Sequence, residues 1–329
     1  MKVFFNRPIK KEAWGGGSHF ITSLCEYLTD AGVDVVFNLE EDINVLVMFD
    51  PRASPDGPGL GEIYDYKKAN SSAKIVQRIN DTDLARHAYG LSPHDKPWRT
   101  EVFLYANQFV DHTIFISNWV KNHYAKLGYE KRDRSDSVVI NGCNSSFFYP
   151  AENKERSSGD KLKIVTHHWS DNPMKGADIY RAVDQLCNED PDISFTYVGR
   201  YPKGYSPKNT KVIPPTYGKK IGDILREHDI YITGARFEAC GMHHLEGAAC
   251  GLPVIYHKDG GAINEICSDH GIEISSWEEL VEAINFFKNK ENLVEYFKKI
   301  DYNKIKGQNC YKKYHEIFKD LSGEKGEKE

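Results

Sequence analysis

Arg236-Phe237-Glu238-Ala239-Cys240-Gly241-Met242-His243-His244-Leu245-Glu246-Gly247-Ala248-Ala249-Cys250-Gly251-Leu252-Pro253-Val254-Ile255 is the stretch from which the fold can be read. Ile230-Tyr231-Ile232-Thr233 precedes it, a β-branched and aromatic run that reads as a buried strand. Val254-Ile255-Tyr256 closes it with a second such run, entered through Gly251 and Pro253. Between the two, Met242 to Cys250 favours helix, with Gly247, Ala248 and Ala249 small where the helix must lie close to a sheet. Strand, loop, helix, strand is one crossover of a parallel α/β sheet. Glu238 falls on the loop and Glu246 inside the helix, with seven residues between them. Gly241 allows close backbone approach as the helix begins. The amides of Gly241, Met242 and His243 are then free to point at an anion.

The same alternation runs outward in both directions. Upstream, strands are expected at Lys2 to Asn6, Val33 to Phe37, Val45 to Phe49, Lys74 to Ile79 and Thr113 to Ile116, with helical segments between them, including Ile21 to Asp30. Val138 to Gly142, followed by Phe147-Phe148-Tyr149-Pro150, reads as a strand and turn into a linker, and residues 151–160 are polar and strandless, as a boundary should be. Strands resume at Leu162 to Thr166 and Phe195 to Gly199. Beyond Trp277 the chain turns helical, ending in an amphipathic pattern of Tyr311, Tyr314, His315, Phe318 and Leu321. Two doubly wound α/β domains follow: 1–149 with a last helix at about 305–322, and 150–304, with 323–329 a disordered tail.

Bulk properties exclude several classes. The 329 residues carry 28% charged and 40% hydrophobic side chains, the balance of a globular protein of two ordinary domains. A net charge of −5 gives a nucleic-acid binder no basic face. No apolar run approaches the ~18 residues of a membrane span, and the start Met-Lys-Val-Phe-Phe-Asn-Arg-Pro is no signal peptide. Seven cysteines without a Cys-x-x-Cys pair favour free thiols in a reducing, cytoplasmic compartment. Lys126, Lys131, Arg132 and Arg134 form a small basic cluster; peripheral contact with an anionic membrane stays open there, beside the plainer reading of a solvated loop.

The stretch around Glu238 and Glu246 resembles the E-x7-E signature of retaining GT-B glycosyltransferases, the group 1, family 4 type. The match comprises the two glutamates, the glycine between them, the small-residue helix ending in Gly251-Leu252-Pro253-Val254, and Gly260-Gly261-Ala262-Ile263-Asn264-Glu265 at the usual distance. The resemblance implies the GT-B fold: two Rossmann-like domains facing across a cleft, with the last helix crossing back to the first. It also implies sugar transfer from a nucleoside-diphosphate donor to a glycan, lipid-linked or small-molecule acceptor, without cofactor or metal.

Resemblance assigns Glu238 to the donor sugar and Glu246 to the nucleoside ribose; a carboxylate can accept from two hydroxyls at once. Lys175-Gly176 resembles the family's phosphate-binding Lys-Gly. Where most members carry an Arg after the preceding strand, this chain has Thr166-His167-His168-Trp169-Ser170. Arg236 is expected to supply the missing charge, with His167 or His168 as alternatives that would be largely neutral at pH 7. Gly241, Met242 and His243 are expected near the donor phosphates, His243 equally as a packed residue. Gly15-Gly16-Gly17 argues for a backbone that must come close to something, or for a flexible loop; the resemblance implies approach to the donor phosphates and acceptor. Asn80-Asp81 and Asp111-His112 are candidate acceptor or sugar contacts, and the aromatics of residues 89–105 either shape an acceptor pocket or pack in the core. Two rivals remain: an epimerase or phosphorylase of the same fold, and a non-catalytic nucleotide-sugar-binding subunit.

Overall fold

The computed structural model describes residues 1–9, 16–80, 83, 98–130, 135–151, 160–201 and 205–324. Gly15, Asp81, Tyr89, Lys131, Arg132, Arg134, most of the 151–160 linker and tail residues 325–329 lie outside them. Two compact units emerge, Met1–Asn141 with Gly307–Glu329, and Gly142–Lys306. Phe147 to Tyr149 side with the second unit because Arg226 holds them there: its Nη1 donates to the Phe147 carbonyl at 2.9 Å and its guanidinium lies 3.9 Å from the Tyr149 ring centre.

The first unit is built on strands β1 (Lys2–Phe5), β2 (Asp34–Val36), β3 (Val45–Met48), β4 (Lys74–Ile79), β5 (His112–Phe115) and β6 (Ser135–Val138), all parallel, in the order β2-β1-β3-β4-β5-β6. Helices α1 (Gly16–Asp30), α2 (Leu60–Ala69), α3 (Trp98–Ala106) and α4 (Asn118–Lys126) are interspersed, and α12 (Gly307–Ser322) returns at the chain's end. Period-2 alternation splits the core. Val3, Phe5, Val45 and Val47 pack with Phe20 and Leu24 of α1 and Tyr314 and Phe318 of α12, while Phe4, Leu46 and Met48 pack with Ile63 of α2. Arg78, buried near the end of β4, locks α12 in place: its Nε donates to the Tyr314 hydroxyl at 3.0 Å, its Nη2 to Asn141 at 2.8 Å, and its guanidinium lies 4.3 Å from the Phe20 ring centre.

The second unit carries β7 (Leu162–His168), β8 (Ile193–Gly199), β9 (Thr210–Ile213), β10 (Ile230–Thr233), β11 (Val254–His257) and β12 (Gly271–Ile274), again all parallel, in the order β12-β11-β10-β7-β8-β9. Its helices are α5 (Ala177–Glu189), α6 (Lys219–Arg226), α7 (Met242–Ala249), α8 (Ala262–Cys267), α9 (Trp277–Lys288), α10 (Lys290–Lys298) and α11 (Tyr302–Ile305). The direction of winding reverses between β7 and β10, and ligands of open α/β sheets bind at the carboxyl ends of the strands at such a switch point.

Four features differ from the sequence reading. The edge strands β9 and β12 were not expected; both are short and half exposed, so neither shows a continuous apolar run. β6 is the polar Ser135–Val138 rather than Val138 to Gly142, because Asp136 in it is held by Lys121 at 2.7 Å and by the Tyr129 hydroxyl at 3.1 Å. Helix α1 begins at Gly16, so Gly16 and Gly17 form its first turn. Asp111 and His112 stand at the amino end of β5, away from the ligand edge; Asp111 accepts from Lys67 Nζ and from the Ile75 amide at 2.7 Å. Asn80 follows β4 and is at the carboxyl edge. All seven cysteines are free thiols.

Candidate functional site

The site of the second unit gathers on the segments that follow β7 and β10, on either side of the switch point. After β7 the chain makes a single 3-10 turn, Pro173–Lys175, started by the Asn172 side chain, which accepts the Met174 amide at 3.0 Å. Gly176 ends that turn in the left-handed region at φ +85°, then α5 begins. A Cβ on Gly176 would stand 2.3 Å from the carbonyl carbon of Gly234, just past β10. The two glycines therefore let the turn carrying Lys175 and the loop carrying Arg236 and Glu238 touch backbone to backbone. The Arg236 amide completes the join by donating to the Met174 carbonyl at 3.0 Å.

The loop after β10 is clamped from its other side as well. Phe237 takes a left-handed φ of +54°, and its amide donates to the Asp259 carbonyl at 2.8 Å. Glu238 exchanges backbone bonds with the 260–262 segment: its amide donates to Gly260 at 3.1 Å and its carbonyl accepts from Ala262 at 2.8 Å. The Glu238 carboxylate is thereby set beside Gly241, the N-cap of α7; a Cβ there would lie 3.1 Å from Glu238 Oε2 and 2.8 Å from the His243 ring. Met242, half-buried, opens α7, whose first-turn amides have no carbonyl within the helix to bond.

Lys175 and Glu238 form an ion pair through Nζ and Oε1, with side chains only 18% and 8% exposed. Arg236 is engaged too: Nη1 and Nη2 reach the two carboxylate oxygens of Asp178, in the first turn of α5, at 2.9 and 2.6 Å. Burial pushes the Asp178 carboxyl up, but the Arg236 hydrogen bonds and charge outweigh it and hold it below its ordinary value. Glu246 Oε2 accepts from His167 Nε2 at 2.7 Å. Neither Asp178 nor the partner role of His167 was anticipated. An acid in the first turn of a helix reads as a response to the helix dipole, and a histidine on a strand carries no mark of its partner.

Behind these residues lies a layer of enclosed histidines and tyrosines. His168, 3% exposed, bonds the Tyr180 hydroxyl through Nε2, and His243 bonds the Thr233 hydroxyl at 3.0 Å. Burial pushes both imidazoles well below their ordinary value, with Lys175 and the neighbouring histidines acting in the same direction. Both are neutral packed rings, and His168 is no substitute for a phosphate-binding cation. His244 is fully buried, neither ring nitrogen has a hydrogen-bond partner among the described residues, and burial takes its pKa to about 3. In the first unit, Gly17 is exposed on the first turn of α1 with open space where a side chain would stand. Of the expected site residues, the structure thus brings Lys175, Arg236, Glu238, Gly241, Met242, His243 and Glu246 to one edge of one sheet, with His168 directly behind. Gly16 and Gly17 belong to the other unit.

Residues 151–304 match the family model described as glycosyl transferases group 1. A 214-residue stretch is 25% identical to the phosphatidylinositol N-acetylglucosaminyltransferase GPI3 subunit of Saccharomyces cerevisiae, covering 60% of this chain and 47% of that protein. The chain therefore spans about half the length of that curated relative. The structure is similar to sucrose-phosphate synthase from Thermosynechococcus elongatus, with a TM-score of 0.71 at 13% identity over 98% of this chain and 99% of the other. It is also similar to Anabaena Alr3699/HepE in complex with UDP-glucose, with a TM-score of 0.67 at 14% identity over 97% and 99%. Over residues 151–304 the chain is thus similar to the glycosyl transferases group 1 family, and it has the GT-B fold.

Proposed function

We propose that this chain transfers a sugar from a nucleoside-diphosphate donor to an acceptor hydroxyl, with retention at the anomeric carbon and without a metal ion. The observation that carries this reading is the Lys175–Glu238 pair at the switch point, beside the start of α7 and one helical segment away from Glu246. A diphosphate arriving there meets an ammonium and free helix amides, which suit developing negative charge. Glu238, relieved of Lys175, turns to the sugar hydroxyls, and Glu246 takes the ribose. In the transfer step the bond from the anomeric carbon to the diphosphate oxygen breaks, the bond to the acceptor oxygen forms on the same face, and the acceptor proton passes to the leaving diphosphate. Lys175 holds that diphosphate as its charge grows; Arg236 adds a second fixed charge while Asp178 orients it. The family-model match over residues 151–304 and the UDP-glucose complex of the structurally similar Anabaena protein support the donor class. Among the described residues no helix is long and apolar enough to cross a membrane.

The test is a thermal-shift screen of UDP-, GDP- and ADP-sugars, where a ligand at 100 times its dissociation constant adds ~2.7 kcal/mol. Product analysis with an acceptor panel, with and without EDTA, follows. A second reading, a donor-binding subunit that does not turn over alone, is favoured by the engagement of Arg236 with Asp178 and by the subunit name of the yeast relative. Donor binding without product across the panel would support it.

A further inference from the structure

We infer that His167 is a positioning residue: it aims the Glu246 carboxylate at the nucleoside ribose and so sets the preference for a ribonucleotide over its deoxy counterpart. This rests on the ribose role of Glu246 proposed above.

Three side chains and one glycine build this arrangement. His167, the penultimate residue of β7, is 2% exposed and touches Glu246 through Nε2 at 2.7 Å. Its other ring nitrogen, Nδ1, lies 3.2 Å from the Tyr231 hydroxyl of β10. That hydroxyl also accepts the His167 backbone amide at 3.1 Å, which fixes the ring to its own strand. Burial holds the Tyr231 phenol well above its ordinary pKa, so it keeps its proton. Its proton has two acceptors in reach, Nδ1 and the His167 carbonyl oxygen at 3.3 Å, both on His167; because the partner of Nε2 is a carboxylate, which accepts, Nε2 carries a proton and donates it to Glu246 Oε2. The same tyrosine sets the height of the helix: a Cβ on Gly247 would lie 2.6 Å from Tyr231 ring carbons, so the residue next to Glu246 rests directly on that ring. Tyr231 therefore fixes both the helix carrying the glutamate and the imidazole that holds it.

A glutamate on a helix ordinarily samples several rotamers, and the order it loses on binding weakens the complex. Here one oxygen is tied before any ligand arrives. The side chain keeps 13% exposure, and Oε1 has no hydrogen-bond partner among the described residues. A carboxylate so held presents one defined edge to a pair of vicinal hydroxyls, as a ribose offers. Stapling the helix to the sheet would need only a contact. Donation to the carboxylate expected at the ribose adds direction.

The experiment measures dissociation constants of UDP and 2′,3′-dideoxy-UDP for the full chain, with the GDP and ADP pairs run alongside. Wild type should prefer the ribo form of its best nucleotide by about tenfold or more, the size of a charge-assisted hydrogen bond. His167→Ala should reduce that preference to within about twofold, matching Glu246→Ala, while dideoxy binding stays close to wild type and reports an intact fold. His167→Gln, whose amide N–H reaches toward the same place as Nε2–H, should regain most of the preference. If His167→Ala keeps the wild-type preference while Glu246→Ala abolishes it, the ribose assignment stands and the role of His167 is overturned. Equal weakening of ribo and dideoxy forms in both His167 variants also overturns it, as a purely structural effect. A preference that survives Glu246→Ala, or a chain that binds none of the three nucleotides, overturns the ribose assignment itself.

Discussion

Lys175 and Glu238, 63 residues apart, hold each other across the contact between the β7 turn and the β10 loop, the ammonium of one against the carboxylate of the other. A ligand that takes one of them releases the other, so the two are coupled. Glu238→Gln should free Lys175: affinity for the nucleoside diphosphate should hold or rise, while turnover falls. Lys175→Ala should lose both, with the rate down at least ~100-fold, in line with removal of one oxyanion-type donor. Calorimetry with the nucleoside diphosphate and a product assay separate the outcomes. Equal loss of nucleotide affinity in the two variants would remove the coupling.

Glycines at two places predict opposite responses. Gly176→Ala requires a left-handed φ and puts a Cβ 2.3 Å from Gly234, so it should cost ~2 kcal/mol or more of stability and displace Lys175. Gly17→Ala lies in a helical turn with open space, and should raise stability by ~0.4–1 kcal/mol. If the backbone at Gly17 approaches the donor, that same variant should bind donor less well despite melting later. Unchanged donor affinity in Gly17→Ala would assign the glycines to α1 alone.

The parts of this molecule that were legible in the sequence are those whose signal is local. Ile230 to Thr233 and Val254 to Tyr256 are buried runs of the right length, and the helix between them shows its small face to the sheet as Gly247, Ala248 and Ala249. Lys175-Gly176 was legible for the same reason, a turn between strand and helix. What the sequence hides is pairing at a distance. Asp178 meets Arg236 across 58 residues and His167 meets Glu246 across 79, and only the β7–β10 adjacency brings them together. The end of the strand on which a polar residue stands is equally hidden. Asn80 and Asp111 both flank strands, yet they lie at opposite edges of one sheet. Edge strands fail for a third reason: with a face open to solvent, Thr210–Ile213 has no apolar run to recognise.

His244 is fully buried in the first turn of α7, and neither of its ring nitrogens has a hydrogen-bond partner among the described residues. Replacing an unsatisfied buried polar group by an apolar one of similar shape relieves its desolvation, so His244→Leu should raise stability by ~1 kcal/mol. The effect should grow on acidification. Burial depresses the folded pKa of His244 to about 3, against ~6.5 in the unfolded chain. The unfolded state therefore takes up the proton first as pH falls. Stability is full above about pH 6.5 and is lost below it by up to ~1.4 kcal/mol per pH unit for each such histidine, until the folded pKa is reached. His168, His243 and His270 shift in the same direction. Wild type should melt progressively earlier from pH 7 to pH 5, and His244→Leu should show a shallower slope. Parallel slopes would mean that this imidazole is hydrated or bonded in solution.

The Arg236–Asp178 pair is where the proposed second phosphate charge can be tested. The guanidinium uses its two terminal nitrogens on Asp178, whose side chain is 52% exposed, and the pairing is bidentate. Exposed on one side, the pair contributes little to stability, so Arg236→Ala and Asp178→Ala should each cost under ~1 kcal/mol. Their effects on ligand should differ. Arg236→Ala should weaken nucleoside-diphosphate binding about tenfold, because a fixed charge is lost. Asp178→Ala should weaken it less, since the charge remains and only its orientation is relaxed. Arg236→Lys should fall between them, as a point charge cannot match the planar fork. His168 and His243 are neutral through the working range, so activity should show no limb from loss of a histidine charge between pH 6 and 8. EDTA should change none of these values. A metal requirement would show that Lys175, Arg236 and the α7 amides leave the diphosphate under-compensated. If Arg236→Ala binds nucleotide like wild type, the pair serves only to tie α5 to the loop after β10, and the second charge must come from outside the residues gathered at this edge.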